Sequence, residues 1–128
     1  MRALLPVTAA TLAALTQTVP AQDLAAGEQS FKKCFPCHSV GERPINKAGP
    51  ALNGLEGRKA GAVPGYNYSE ANRNSGLVWS EEAFRDYIKN PLAKMPGTKM
   101  FFAGIKSDKE IGNLWAYLKQ FGPDGKIK

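Results

Sequence analysis

Apolar residues recur three or four positions apart in three segments of the chain. This spacing predicts three helices, over about residues 24–33, 81–89 and 108–121. The third helix has the longest apolar stripe, made of Ile111, Leu114, Trp115, Leu118 and Phe121. A short helical turn is also expected at residues 69–74. No run alternates well enough between apolar and polar residues to predict a sheet, so the pattern favours an all-α protein.

The ends of these helices carry recognisable capping residues. Ser80 is expected to cap the second helix, and Pro91 is expected to end it. Ser107 and Glu110 have the spacing of a capping box at the start of the third helix, which Gly122 follows. The apolar face of the first helix is expected to consist of Leu24, Phe31 and Phe35.

The N-terminal segment differs from the rest of the chain. Residues 1–21 carry a single ionised side chain, Arg2, followed by a short apolar run and by small residues at Val19-Pro20-Ala21. This order is typical of a secretory signal peptide with its cleavage site. We therefore expect a cleaved signal peptide over residues 1–21 and one domain over residues 22–128. The alternative is an uncleaved anchor helix, which the polar residues within the run make less favourable.

The remaining composition is that of a globular domain with long loops. The chain contains 13 Gly and 9 Pro, most of them between Gly41 and Gly104, and this excludes a simple helical bundle. Residues 39–79 show little regular pattern, and a loop of that length is expected only where it wraps around something. A loop-rich domain of this size usually needs a disulfide, a metal or a large organic cofactor for stability.

The segment Cys34-Phe35-Pro36-Cys37-His38 indicates which of these is used. It has the C-x-x-C-H spacing of c-type haem attachment, in which two thiols add to the vinyl groups of one porphyrin and the histidine coordinates the iron. A structural zinc site needs four ligands, whereas two cysteines and one histidine supply three. A thioredoxin-like site would need a βαβ pattern, which is absent. A plain disulfide is the other interpretation.

A second iron ligand must come from a different residue type, because His38 is the only histidine. Beyond the predicted signal peptide the chain has two methionines, Met95 and Met100. Met100 is the better candidate, since it follows turn residues at positions 96–99 that can hold a loop over a flat ring. Met95 precedes that turn and is expected to fill the core.

Many further segments match one family pattern in register. They are Gly27 and Phe31, Gly49-Pro50-x-Leu52, residues 57–61, Tyr68, residues 72–79, Asn90-Pro91, and residues 96–100, 102–105 and 116–118. With them, nearly all of residues 22–128 resembles the class I cytochromes c, and within these the short cytochromes c2 of purple bacteria and the similar mitochondrial proteins. The resemblance implies a class I cytochrome c fold, with three main helices, one or two short ones, and long loops wrapped around one covalent haem.

The resemblance also implies a role for each matched residue. His38 and Met100 would be the axial ligands of the iron, and the carbonyl of Pro50 would accept a hydrogen bond from the imidazole. Phe102 would shield the exposed edge of the haem. The residues expected to hydrogen-bond or neutralise the haem propionates are Arg58, Tyr68 and Trp79. Those expected in a polar network behind the Met100 sulfur are Asn72, Tyr87 and Thr98.

The charge of the chain suggests acidic partners. The formal net charge is +6, and there is no nucleic-acid-binding motif, so nucleic acid is not an expected partner. Five lysines near the haem motif and the Met100 loop are expected to dock acidic proteins: Lys33, Lys47, Lys94, Lys99 and Lys106. No segment after the N-terminus has the roughly 20 apolar residues of a membrane span, so stable membrane insertion is not expected.

The resemblance implies a monomeric, periplasmic one-electron carrier without enzymatic activity. Its donor would be a quinol–cytochrome c oxidoreductase, and its acceptor a photosynthetic reaction centre or a terminal oxidase. One alternative function is a haem enzyme or gas sensor with an open iron position. Another is a thiol–disulfide oxidoreductase that uses the two cysteines.

Overall fold

The computed structural model describes residues 3–15 and 22–128. Within these ranges the chain forms five α-helices: α1 (Leu24–Phe31), α2 (Glu70–Arg73), α3 (Glu81–Lys89), α4 (Pro91–Lys94) and α5 (Asp108–Lys119). In place of a sheet, the described residues contain isolated antiparallel bridges, from Lys59 to Val78 and from Phe121 to Ile127. The expected helical architecture is therefore confirmed.

In the N-terminal segment, residues 3–15 are described, and they are irregular and exposed. The predicted cleavage residues Val19-Pro20-Ala21 lie outside the described residues, so the signal peptide stays a prediction. None of the helices in the described ranges is both long enough and apolar enough to cross a membrane.

The predicted helices form, with ends that differ by two residues at most. Helix α3 has the expected bounds, whereas α1 and α5 each end two residues early. Helix α2 forms where the short helical turn is predicted, whereas the position of α4 is not predicted. Pro91 does end α3, yet it also begins α4, since a proline at the first helical position loses no backbone hydrogen bond there. The Asn90 Oδ1 atom caps this turn by accepting a hydrogen bond from the backbone N–H of Ala93 at 3.2 Å.

The serine caps form as expected, but only half of the capping box does. Ser80 and Ser107 each accept a hydrogen bond from the backbone N–H of the third residue of the helix that follows. The carboxylate of Glu110 does not return to Ser107. It accepts a hydrogen bond from Ser30 Oγ at 3.1 Å and pairs with Lys33 Nζ, so a residue expected to act locally joins α5 to α1.

The prediction for the face of α1 is wrong in two of its three residues. Phe31 is buried, but Leu24 and Phe35 are exposed. Leu24 stands at the first position of the helix, and Phe35 lies beyond its end, where the chain continues as turns. Contact with α5 is made at the middle and end of α1.

Helices α1 and α5 are in close backbone contact at Gly27. A Cβ atom at this position would lie 2.1 Å from the carbonyl oxygen of Asn113 and 2.8 Å from Tyr117 Cβ. One turn further along, the rings of Phe31 and Tyr117 are in contact, with centroids 5.6 Å apart. The absence of a side chain at Gly27 thus determines how closely the two helices pack.

Helix α5 forms the centre of the core. Its four most deeply buried apolar residues are Ile111, Leu114, Trp115 and Leu118. Trp115 also contacts Phe84 of α3, with ring centroids 5.2 Å apart. The core therefore connects α1, α5 and α3 in that order, and the loops close the remaining side.

The loops on either side of α2, between α1 and α3, are held by hydrogen bonds to each other and to themselves. The Asn53 side chain accepts from the backbone N–H of Gly41 at 2.9 Å and donates to the Gly41 carbonyl at 2.7 Å. The backbone N–H of Trp79 donates to the Arg58 carbonyl at 2.9 Å, and that of Gly57 to the Trp79 carbonyl at 2.7 Å. The loops therefore keep a fixed path without a sheet.

We predict that Gly27→Ala destabilises the protein by about 3 kcal/mol, because the added methyl group forces α1 away from the backbone of α5. The change is measured by guanidinium unfolding of the haem-containing protein, followed by far-UV circular dichroism. Glu28→Ala, at the adjacent exposed position of α1, is the control and is expected to stay within about 0.5 kcal/mol of the parent protein. Equal stability of Gly27→Ala and the parent would contradict the close packing described for this position.

Candidate functional site

A cavity of about 300 Å³ lies between α3, α5 and the loops that connect the helices. Its apolar lining includes Leu55, Trp79, Phe84, Ile88, Leu114 and Leu118. Residues 34–38 contribute two cysteines and a histidine to the lining, and residues 98–100 contribute a threonine, a lysine and a methionine. The cavity thus brings together parts of the chain that are far apart in sequence.

The turn after α1 places both cysteines and the histidine in this lining. The chain leaves α1 as consecutive turns, in which the backbone N–H groups of Cys37 and His38 both donate to the Cys34 carbonyl at 2.9 Å. Cys34 is buried and Cys37 is exposed, and both are free thiols. The C-x-x-C-H segment thus presents three reactive side chains to one cavity.

His38 is oriented by the segment that follows the turn. Its Nδ1 atom lies 2.7 Å from the carbonyl oxygen of Pro50. A carbonyl only accepts, so Nδ1 carries the proton and Nε2 keeps its lone pair. A Cβ atom on Gly49 would lie 2.3 Å from His38 Cε1, so only glycine permits this contact with the ring. Burial lowers the pKa of His38, which favours the neutral imidazole that a metal requires.

The two methionines occupy different places. Met100 is half-buried and lines the cavity, and its backbone N–H donates to Thr98 Oγ1 at 3.2 Å. Met95 is 5% exposed and belongs to the hydrophobic core. This placement agrees with the preference for Met100 as a ligand and for Met95 as a core residue.

The polar group expected behind Met100 forms in part. Tyr87 Oη and Thr98 Oγ1 are 3.0 Å apart and buried. Burial raises the pKa of Tyr87, so its hydroxyl stays protonated. Asn72 also lines the cavity but does not join this pair. Its Oδ1 atom is buried and has no hydrogen-bond partner among the described residues.

The residues expected at the propionates also meet in the lining. Arg58 Nη1 donates to the carbonyls of Ala51 and Asn53, both at 2.9 Å, and no carboxylate pairs with Arg58 in the described part of the chain. Tyr68 accepts a hydrogen bond from the Val63 N–H at 3.0 Å and is buried, as is Trp79. Partial burial lowers the pKa of Arg58, because the guanidinium loses part of its hydration there.

Sequence reasoning missed Tyr66, which lines the same cavity. Its ring packs edge-on against Tyr68 at 4.7 Å, and its hydroxyl donates to the Ala48 carbonyl at 2.6 Å. The spacing of two aromatic residues on either side of Asn67 is the signal that could have indicated it. Phe102 lines the cavity as expected, and so does Phe101, whose side chain is nevertheless exposed.

The residues present fit a haem with two propionates. Two free thiols and a histidine with an available Nε2 line the same cavity as a methionine, and these are the groups that attach and ligate a c-type haem. The half-buried Arg58 lacks a carboxylate partner in the described chain, and a propionate would supply one. No group of three or more His, Cys, Asp and Glu side chains forms a metal site among the described residues.

The thiol environment does not favour disulfide chemistry. Burial raises the pKa of the Cys34 thiol to about 11, and the neighbouring Lys33 only partly opposes this effect. Redox-active thiols have the opposite property, a lowered pKa that supplies thiolate at neutral pH. The buried Cys34 thiol therefore lacks the lowered pKa of a redox-active cysteine.

The five predicted docking lysines do not share one environment. Lys33 and Lys99 line the cavity, whereas Lys47, Lys94 and Lys106 do not. Carboxylates pair with two of them, Glu110 with Lys33 and Asp86 with Lys94.

The other three lysines donate to backbone carbonyls. Lys99 Nζ reaches the Asn67 carbonyl at 2.7 Å, and Lys106 Nζ reaches that of Lys89. Lys47 Nζ donates to the Phe35 carbonyl at 2.8 Å and lies 3.8 Å from the centroid of the Phe35 ring. A carbonyl oxygen carries no formal charge, so these contacts do not neutralise the three lysines.

Comparison with known proteins gives one consistent result. Residues 24–122 match the family model described as cytochrome c. A cytochrome c2 from Rhodoplanes tepidamans is 64% identical over 107 residues, covering 84% of this chain and 100% of that protein. Cytochrome c-550 from Bradyrhizobium diazoefficiens is 61% identical over 104 residues, covering 81% of this chain and 76% of that protein. The solved structure of cytochrome cH from Methylobacterium extorquens has a TM-score of 0.71 and 41% identity. The match covers 77% of this chain and 98% of that one.

We predict a pH-dependent contribution from the pair of Glu110 and Lys33. The hydrogen bond from Lys33 holds the pKa of Glu110 below its ordinary value of 4.5. A carboxyl group whose pKa is lowered by folding stabilises the folded protein at pH values above its ordinary pKa. This stabilisation disappears as the pH falls through the lowered pKa. Glu110→Gln should therefore cost about 0.5–1 kcal/mol at neutral pH and nothing by about pH 2–3.

The measurement is guanidinium unfolding of the holoprotein at both pH values. Glu28→Gln, on the exposed side of α1, is the control for loss of a carboxylate and should match the parent throughout. A deficit of Glu110→Gln that stays constant down to pH 2 would show that the ion pair does not cause it.

Proposed function

Because the chain belongs to the cytochrome c family, we propose that it carries single electrons in the periplasm, from a quinol–cytochrome c oxidoreductase to a photosynthetic reaction centre or a terminal oxidase. Family membership makes it an electron carrier with a covalently bound c-type haem, and not an enzyme. The expected class I cytochrome c fold is confirmed by the similarity to cytochrome cH. The roles of individual residues, the redox partners and the periplasmic compartment belong to the proposal.

The observation that carries the proposal is the turn from Cys34 to His38 in the wall of a cavity that Met100 also lines. Cys34 and Cys37 would hold the haem through thioether bonds, and His38 Nε2 and the Met100 sulfur would be the axial ligands. When bound, the haem supplies a one-electron couple between ferric and ferrous iron. Methionine and histidine together favour the ferrous form and give a relatively high reduction potential.

Pro50 and Gly49 act on His38 rather than on the haem. The Pro50 carbonyl holds the proton on Nδ1 and prevents rotation of the ring. A hydrogen bond of this kind raises the basicity of the ligand nitrogen. Gly49 allows the backbone to lie against the imidazole, and its N–H donates to the Cys37 carbonyl at 2.8 Å. The attachment turn and its ligand are thus fixed by one neighbouring segment.

Arg58 would neutralise the propionates. A buried carboxylate is costly without a charged or hydrogen-bonding partner, and Arg58 is held ready by two backbone carbonyls. Tyr68 and Trp79 would add hydrogen bonds on the same side. Behind Met100, the buried pair of Tyr87 and Thr98 would fix the ligand loop, since Thr98 also accepts from the Met100 N–H.

A haem enzyme or gas sensor is less well supported. Such a protein needs an open iron position, whereas here Met100 lines the cavity in a loop anchored at Thr98. The chain also has no second histidine that could take part in peroxide chemistry. A closed, six-coordinate iron is the arrangement that these residues favour.

The charge near the cavity supports acidic partners. Lys99 lines the cavity without a carboxylate partner among the described residues, and the formal net charge of the chain is +6. Positive charge of this kind steers acidic proteins towards the surface and raises the association rate at low ionic strength. An electron carrier also has to leave its partner, which suits a small and transient interface.

We predict that the exported protein consists of residues 22–128 with one haem added. The segment removed would be residues 1–21, and residues 22–128 are as many as the 107 residues aligned with the Rhodoplanes tepidamans cytochrome c2. Intact-mass spectrometry of the periplasmic fraction measures both features. Cys34→Ser with Cys37→Ser is expected to remove the covalent haem. A bare polypeptide mass for the parent, or one that retains residues 1–21, would contradict haem attachment or cleavage respectively.

We predict that Met100 is the second axial ligand. Met100→Ala should abolish the methionine–iron charge-transfer band at the red end of the spectrum, open the iron to carbon monoxide or imidazole, and lower the reduction potential. Met95→Leu is the matched control, because it conserves volume in the core and should leave the spectrum and the potential unchanged. The assignment would be reversed if Met95→Leu alone removed the band.

A further inference from the structure

The chain that follows α5 folds back on itself over residues 121–128, which we call the C-terminal hairpin. Its two arms are joined by an antiparallel bridge, and its turn is closed by a hydrogen bond at 2.9 Å from the Gly125 N–H to the Gly122 carbonyl. Pro123 at the first corner and a positive φ of 79° at Gly125 are typical of a three-residue hairpin loop. The match to the cytochrome c family model ends at residue 122, so most of this hairpin lies beyond it.

The C-terminal hairpin packs against the loop between α1 and α2. A Cβ atom on Gly125 would lie 2.0 Å from the carbonyl oxygen of Gly41 and 2.8 Å from the backbone nitrogen of Glu42. A Cβ atom on Gly54 would lie 3.0 Å from the Cα and Cγ atoms of Pro123. The turn of the hairpin therefore lies close to the backbone of this loop at two points, Gly41 and Gly54.

One peptide group joins the hairpin to the haem cavity. This group links Asn53 to Gly54, and its N–H donates to the Phe121 carbonyl of the hairpin at 2.9 Å. Its carbonyl oxygen accepts from Arg58 Nη1, also at 2.9 Å. Because a peptide group is planar, its N–H and its carbonyl change orientation together. The buried Asn53 side chain bonds to both backbone polar groups of Gly41, which holds the same peptide against the hairpin from the other side.

On the basis of the proposed electron-carrier function, in which Arg58 neutralises the haem propionates, we infer that the C-terminal hairpin is a positioning element for Arg58. The hairpin fixes the peptide between Asn53 and Gly54, and this peptide fixes the guanidinium that lines the cavity. None of residues 121–128 lines the cavity, so the hairpin acts through Arg58 and not on the haem itself.

The consequence of this positioning is a higher reduction potential. Ferric iron carries one more positive charge than ferrous iron, so a guanidinium held nearby disfavours the ferric form. If the hairpin is displaced, the guanidinium loses one of the two carbonyls that hold it and the ferric form becomes more favourable.

The test is the reduction potential of the holoprotein at neutral pH, measured by redox titration with mediators. Gly125→Ala places a methyl group where the Gly41 carbonyl lies and should displace the hairpin. It is expected to lower the equilibrium constant for reduction of the iron about threefold, or about 28 mV at about 59 mV per tenfold change for one electron. Pro123→Ala is a milder change and should shift the potential in the same direction by less. The methionine–iron charge-transfer band should persist in both variants.

Gly76→Ala is the matched control for backbone strain. Gly76 also has a positive φ, 68°, but no atom lies within 4 Å of a Cβ built there, so the variant has the strain without the clash. Its potential should equal that of the parent. Amide hydrogen exchange, followed by NMR, reports the peptide itself: the Gly54 N–H should exchange faster in Gly125→Ala and at the parent rate in Gly76→Ala.

A double-mutant cycle tests whether the hairpin acts through Arg58. Arg58→Gln should lower the potential, and adding Gly125→Ala to it should cause little further fall, because the two changes affect one interaction. A further fall as large as that in the parent would assign the effect to general loosening and overturn the inference.

The outcomes for the hairpin and for the proposed function are distinguishable. An unchanged potential in Gly125→Ala and Pro123→Ala, or an equal fall in Gly76→Ala, overturns the inference and leaves the carrier function in place. If Arg58→Gln has the potential of the parent, the proposed role of Arg58 fails and the inference fails with it. A parent protein that lacks covalent haem, or is not reversibly reduced by the mediators, contradicts the proposed function itself.

Discussion

The structure depends first on the close approach of α1 and α5 at Gly27. The missing side chain lets the backbone of α1 lie against Asn113, and this contact fixes the direction in which α1 ends. The turn from Cys34 to His38 follows directly, so its position relative to α5 is set by the same contact. Leu114 and Leu118 of α5 then form part of the wall that the turn also lines. A backbone contact between helices thereby positions the attachment chemistry.

A second constraint acts on the turn from the other side. The segment from Lys47 to Pro50 makes three hydrogen bonds to the turn. The Lys47 ammonium donates to the Phe35 carbonyl, and the Gly49 N–H donates to the Cys37 carbonyl. The Pro50 carbonyl accepts from the imidazole of His38. Three hydrogen bonds from four consecutive residues leave the turn little freedom. Residues 22–128 contain no sheet, yet the site is not loosely held, because backbone carbonyls and glycines supply the rigidity that strands would otherwise give.

The sequence was informative where chemistry is local. Serine caps at Ser80 and Ser107 depend on atoms within three residues, and both form. The spacing of Cys34, Cys37 and His38 is equally local, and it pointed to the cavity that the structure contains. Family resemblance then added residues such as Arg58 and Trp79, which no local pattern distinguishes from ordinary loop and core residues.

Prediction failed where tertiary contacts redirect a side chain. Glu110 has the spacing of a capping residue, but its carboxylate binds the Ser30 hydroxyl of α1 and the Lys33 ammonium just beyond that helix instead of the nearby backbone N–H. Phe35 has a helical spacing, but the helix ends before it. Tyr66 enters the cavity lining through a hydrogen bond to Ala48, 18 residues away, and only the folded loop brings these two residues together.

The pairing of α1 with α5 also has a consequence for the order of folding. The contacts that join them span most of the domain, since the Asp23 N–H donates to Asn113 Oδ1 across 90 positions. Contacts of such separation form slowly, because a long stretch of chain must be closed first. The attachment turn, by contrast, is built from hydrogen bonds between residues at most four apart, such as that from the Phe35 N–H to the Phe31 carbonyl. The turn from Cys34 to His38 can thus begin to form before α1 pairs with α5, and it is also synthesised before α5.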